Sequence, residues 1–220
     1  MWIIPFFILL VLSFFILFIL SKRDFVLLRK NISVSLIFDY MFIALLVAFI
    51  IGRLLFILES SQFFLISPLR FIHVLRLPGF SILGFFIGGF FAVFFLFRKT
   101  KAISRIFDIF SLSFFPLFTA SIFGSKISFG QITVPIFFIL SVILFIFLLK
   151  SHVTYRLKDG SISALFILFV SIFSFLINFN LHTKPFIVMF TLVQWISICT
   201  AIFSIAFYFL NQNKHLNKND

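Results

Sequence analysis

Long apolar runs alternate with short polar links along this chain. Seven runs stand out: Trp2–Leu20, Ile37–Leu58, Phe80–Phe97, Ile106–Gly124, Ile132–Leu149, Ser161–Asn180 and Phe186–Leu210. A helix needs about 20 apolar residues to cross a bilayer, and each run reaches that length within a few residues. The pattern therefore predicts an all-α integral membrane protein with seven transmembrane helices. The links leave no room for a separate soluble domain. The expected organisation is one seven-helix domain over residues 1–210 and a short polar tail over 211–220.

Three runs carry a small residue at every fourth position. The second has Ala44, Ala48 and Gly52, the third Gly84, Gly88 and Ala92, and the fourth Pro116, Ala120 and Gly124. Such stripes let helix backbones approach closely in lipid, where van der Waals packing supplies much of the association energy. The sixth run adds a polar face of Ser171, Ser174 and Asn178. The seventh adds Gln194, Ser197, Ala201 and Tyr208. Buried amides in hydrocarbon need partners, so Asn178 and Gln194 either bond across a helix pair or line a polar cavity that accepts a headgroup.

Charge sets the orientation. The chain is 63% hydrophobic and 11% charged, with a net charge of +12. Thirteen of its eighteen Lys and Arg lie in alternate links and the tail: Lys22, Arg23, Arg29 and Lys30, then Arg98, Lys99, Lys101 and Arg105, then Lys150, Arg156 and Lys158, and finally Lys214 and Lys218. The opposite links hold Arg70, Arg76, Lys126 and Lys184. The positive-inside rule then places the N-terminus outside and the C-terminus in the cytoplasm. The basic clusters suit anionic headgroups of the inner leaflet, and no nucleic-acid partner is implied. The first run lacks a basic leader and a small-residue cleavage site, so it reads as a retained helix. The single cysteine, Cys199, excludes an internal disulfide and a cysteine-based metal site. Neither a metal nor a cofactor is expected.

Arg53 is the one Lys or Arg deep within a run. A charge there costs about 2.5–3.5 kcal/mol or more unless it is paired, hydrated or snorkelled. It is the first candidate for a functional site. Asp39, fourteen residues away, lies about 21 Å along the helix and cannot neutralise it. In the expected orientation Arg53, Gly84, Gly124, Asn178 and Gln194 share the outer half of the membrane, with Gln194 about 12 Å below the start of its run. Arg70, His73 and Arg76 sit on the outer link above them. His73 is a candidate base because an imidazole titrates near neutrality. His152, His182 and His215 fall in other links or the tail, without metal-ligand spacing.

Read in order, these residues resemble the prolipoprotein diacylglyceryl transferase family from about 35 to 210. Asp39 followed by Ile51-Gly52-Arg53-Leu54-Leu55-Phe56 is similar to the family's second helix. Ser67-Pro68-Leu69-Arg70 resembles its outer-loop segment. Leu83-Gly84-Phe85-Phe86-Ile87-Gly88-Gly89 lies over its His-Gly-Gly-Leu-Ile-Gly-Gly motif. Arg98-Lys99 and Asp108 fit the basic turn and acidic start of the fourth helix. Gly160-Ser161 through Phe175-Leu176-Ile177 fits the sixth, and Leu192-Val193-Gln194-Trp195-Ile196-Ser197 fits the Gly-Gln-x-x-Ser stretch of the seventh.

The resemblance implies a multi-pass protein of a bacterial plasma membrane. It implies a reaction that moves the diacylglyceryl group of phosphatidylglycerol onto a lipobox cysteine, with a membrane lipid and a prelipoprotein as partners. The attacking group would be a thiolate. Arg53, with Arg70 and Arg76, would hold the lipid phosphate through paired guanidinium bonds. Gly84, Gly88, Gly124, Ser174, Asn178 and Gln194 would line the cavity.

The chemistry departs from that pattern. The motif histidine falls on Leu83. The arginine of the Gly-Arg-x-Gly motif falls on Ile122 within Ser121-Ile122-Phe123-Gly124. The sixth-helix arginine and glutamate fall on Ser174 and Asn178, and an early tyrosine falls on Phe6 or Phe7. Three readings follow: a divergent transferase with His73 as base, a non-catalytic relative that binds lipid or precursor, and a structural or partner membrane protein that keeps only the fold.

Overall fold

The computed structural model describes residues 3–59, 80–100, 102–124, 133–180 and 190–213. They form eight α-helices: α1 Ile3–Arg23, α2 Phe25–Arg29, α3 Val34–Glu59, α4 Ile82–Phe97, α5 Ile103–Gly124, α6 Thr133–Val153, α7 Ser161–Asn180 and α8 Leu192–Asn213. Each of the seven apolar runs contains one long helix. The eighth, α2, sits in the first basic link, where the run pattern placed none.

Five helices, α3, α5, α6, α7 and α8, are long and apolar enough to cross a membrane. α4 has 16 residues, because the chain before Ile82 is extended. Ser81 caps the helix with its hydroxyl, which accepts from the Gly84 amide at 3.3 Å.

α5 lies at the centre, packed against α1, α4, α6 and α7, and most of it is buried. Interlocked aromatic rings fill the space around it. Phe115 and Phe118 meet Phe166 of α7 at 5.1 and 5.9 Å between centroids. Phe86 of α4 meets Phe118 and Phe166 at 5.8 and 5.0 Å, edge to face. Phe14 of α1 reaches Phe114 at 6.0 Å.

These pairs fix the register. α3 and α4 run antiparallel, as do α1 and α5 and also α7 and α8, while α5 and α7 run parallel. The C-terminal ends of α3, α5 and α7 thus share one end of the bundle with the N-terminal ends of α4 and α8. We call it the arginine-53 end. The other end, the basic end, holds α2 and the polar turns beside Lys22, Arg23, Arg98, Lys99, Lys150, Arg156 and Lys158.

The small stripes of α3 and α4 mesh. A methyl added to Gly84 would stand 3.0 Å from the Gly52 Cα and 3.1 Å from the Ile51 carbonyl oxygen. One added to Gly88 would stand 3.2 Å from the Ala48 Cα. Ala44 and Ala92, one step further, are buried.

Candidate functional site

Arg53 is buried near the end of α3, with 6% of its surface exposed. Its guanidinium carbon lies 5.6 Å from the centroid of the Phe56 ring, one turn on. Beside it, the extended chain of Phe80 and Ser81 lies directly over Gly52. The Ser81 amide donates to the Gly52 carbonyl at 3.1 Å, and a Cβ on Gly52 would strike the Phe80 ring at 2.5 Å. Glycine at 52 is what lets the start of α4 settle next to Arg53.

The other members of the expected site fall at the same end but are held locally. Gly84 and Gly88 face the backbone of α3, as described. Asn178 donates to the Ser174 carbonyl within α7 at 2.8 Å. Thr191 and Gln194 form a capping box on α8: the Gln194 side chain accepts from the Thr191 amide at 2.8 Å, and the Thr191 hydroxyl accepts from the Gln194 amide at 3.3 Å. Gln194 is therefore in the first turn of its helix, where the run beginning at Phe186 placed it about 12 Å below the start. Extending the α7–α8 register from Ser171 and Thr200, whose hydroxyls meet at 2.7 Å, brings Asn178 level with that first turn. Gly124 closes α5 at the same end. His73, Arg70 and Arg76 lie outside the described residues.

Two positions onto which the resemblance puts family side chains, Leu83 and Ile122, are apolar in setting as well as in identity. Leu83 and Ile122 are both buried within the aromatic core. Among the residues of this end whose side chains are described, Arg53 is the one Lys, Arg, His, Asp or Glu. No three of His, Cys, Asp and Glu come together as metal ligands would, among the described residues.

Among the described residues the densest polar chemistry lies at the basic end, where the run pattern looked for none. Arg105, counted as a link residue, is inside α5 and 1% exposed. Its Nε donates to Asp24 Oδ2 at 2.6 Å and its Nη1 to Asp159 Oδ1 at 3.3 Å. The Tyr155 ring covers the guanidinium at 4.7 Å. His152, also read as a link residue, is buried in the last turn of α6 with Nε2 3.4 Å from Asp24 Oδ2.

Asp24 in turn caps α2, accepting from the amides of Val26 and Leu27 at 2.9 and 3.1 Å. Burial pushes its pKa upward, but the bonds from His152 and Arg105 and the Arg105 charge outweigh it, so the carboxyl sits at about 2. Asp108 reaches from α5 to the start of α7 and accepts from the amides of Gly160 and Ser163 at 2.6 and 2.8 Å. A carboxylate there complements the positive end of the helix. Three of the six acidic residues, Asp24, Asp108 and Asp159, thus gather around or beside Arg105. That three of so few acids fall in or next to the three basic links was the available sequence signal.

Long apolar helices and a buried aromatic core define a helical membrane protein of the multi-pass class. The family model for prolipoprotein diacylglyceryl transferase matches residues 3–124, more than half of the chain, and the chain belongs to that family. No curated protein and no solved structure matches it.

Proposed function

We propose that this chain is a non-transferring relative within the family. In this reading it binds an anionic glycerophospholipid, phosphatidylglycerol by family chemistry, or the lipidated precursor, at the arginine-53 end. All seven long helices cross a bacterial plasma membrane, with the N-terminus outside and the C-terminus in the cytoplasm. Arg53 holds the lipid phosphate, since a guanidinium offers paired donors to phosphate oxygens. The small stripe at Gly84 and Gly88 gives Arg53 a rigid platform, and Asn178, Ser174 and Gln194 stand at the same level.

One observation carries the reading. By the resemblance the family's imidazole and a second guanidinium would fall on Leu83 and Ile122, and both of these residues are buried in apolar surroundings. Thiol transfer needs a proton acceptor near the attacking sulfur. A leucine cannot take a proton and an isoleucine cannot hold a phosphate. A second reading, divergent transfer with His73 as base, is favoured by the reach of the family match, which includes Arg70, His73 and Arg76.

Complementation separates the two. The chain is expressed in cells depleted of their own diacylglyceryl transferase, and lipid attachment to a lipobox reporter is followed. The expected result is correctly inserted protein without lipidation. Lipidation of the reporter would overturn the non-transferring reading and make Arg53 and His73 the residues to mutate. In lipid titration of the purified protein, Arg53→Ala should weaken phosphatidylglycerol binding by about tenfold or more, as loss of one charge-assisted bond implies. Arg98→Ala, at the basic end, should change that affinity little. Equal losses would sink the arginine-53 site.

A further inference from the structure

A five-residue helix does not stand alone in water, yet α2 is built with care. Asp24 caps its start. At its end, Asn31 adopts a left-handed conformation, φ 52°, which asparagine tolerates well. This lets the Ile32 amide reach the Leu27 carbonyl and the Asn31 amide reach the Leu28 carbonyl, both at 3.1 Å. The result is a Schellman cap.

α2 is also fixed to the bundle. Leu27 is buried, and the Asp24 carboxylate is held by Arg105 at 2.6 Å. The Tyr155 hydroxyl lies 3.4 Å from the Phe25 amide. Tyr155 itself has φ 51°, an uncommon conformation for a bulky aromatic. It occupies the αL position of the α6 cap, where the Arg156 amide reaches the Ser151 carbonyl at 3.1 Å. One face of α2 is thus locked down from both sides.

The other face presents what a headgroup layer would meet. Phe25 is 70% exposed and Leu28 57% exposed. Lys22, Arg23, Arg29 and Lys30 surround them and are all exposed. No acidic side chain interrupts this set, because Asp24, the one acid within it, is turned inward and engaged. Apolar groups that enter the acyl boundary, ringed by cations at headgroup level, are the pattern of an interfacial helix that selects anionic lipid.

We propose that α2 is a fixed interfacial seat for anionic phospholipid headgroups at the basic end. Phe25 and Leu28 are immersed, and Arg23, Arg29 and Lys30 grip the phosphates. This seat is separate from the Arg53 site and does not depend on it.

The test places a tryptophan on the exposed face. Phe25→Trp is made in a chain with Trp2 and Trp195 changed to Phe, and the full protein is reconstituted in vesicles of phosphatidylcholine and phosphatidylglycerol. Bromine-labelled versions of each lipid serve in turn as quenchers. Bromines near the glycerol should quench more than those near the chain ends, and labelled phosphatidylglycerol more than labelled phosphatidylcholine at equal fraction. Arg29→Gln with Lys30→Gln should lower that preference by about fivefold or more. Arg53→Ala should leave it unchanged. Leu28→Trp repeats the measurement on the same face. Quenching by an aqueous agent alone, equal quenching by the two lipids, or loss of the preference in Arg53→Ala would each overturn the proposal.

Discussion

A guanidinium surrounded by apolar helices has to be compensated, and two are buried among the described residues, Arg53 and Arg105. Arg105 is compensated by Asp24 and Asp159, and breaking such a buried pair costs about 3–5 kcal/mol because it strands the remaining charge. Asp24→Asn should therefore lower thermal stability in detergent by about that much, and unchanged melting would refute the pairing. The pH dependence has a definite sign. The folded carboxyl lies near 2, below its ordinary 3.8. Its stabilisation is complete above about pH 4 and is lost as pH falls toward 2. Melting of the parent chain should drop across that interval, with a smaller drop in Asp24→Asn. Arg53 was legible in the sequence because it stands inside an apolar run, with Leu54–Leu58 continuing the run beyond it. Arg105 was not, because it lies one residue before the run drawn from Ile106, where a charge reads as an ordinary link residue.

Among the elements, α3 and α4 form the tightest pair. A Cβ on Gly84 meets α3 backbone, which cannot move without separating the helices, whereas a Cβ on Gly89 meets the rim of the Phe110 ring at 2.8 Å, which can turn. Gly84→Ala should thus cost about 1–3 kcal/mol and Gly89→Ala less, compared by thermal melting. The reverse order would contradict the meshed stripes. The fourfold spacing of Ala and Gly made this contact readable in advance. The capping box of Thr191 and Gln194 was also written in the chain, with Thr and Gln three residues apart. It was obscured because the apolar residues from Phe186 onward extend the run past the point where α8 begins. α2 gave no such warning: five residues are too few to show a helical period, and only the isolated Asp24 marked its start.

For the molecule as a whole, hydropathy located the seven long helices among the described residues, five of them long and apolar enough to cross a membrane, because length and apolar content are written locally in the chain. What it could not give was how the ends are tied, since those ties depend on residues far apart in sequence. The proposed orientation has a direct check. With Cys199 changed to Ser, a cysteine at Arg98 should react with an impermeant maleimide only in inverted vesicles. Reaction from the outer face of intact cells would reverse the assignment.

The Asp108 contact also has a consequence for biosynthesis. The amides that receive this carboxylate belong to Gly160 and Ser163, 52 and 55 residues later in the chain. α5 is therefore synthesised before the two amides from which its acid accepts. Until the ribosome has delivered the first turn of α7, Asp108 lacks both of these donors. The central helix, made early, gains these bonds late, from residues beyond the family match at 124.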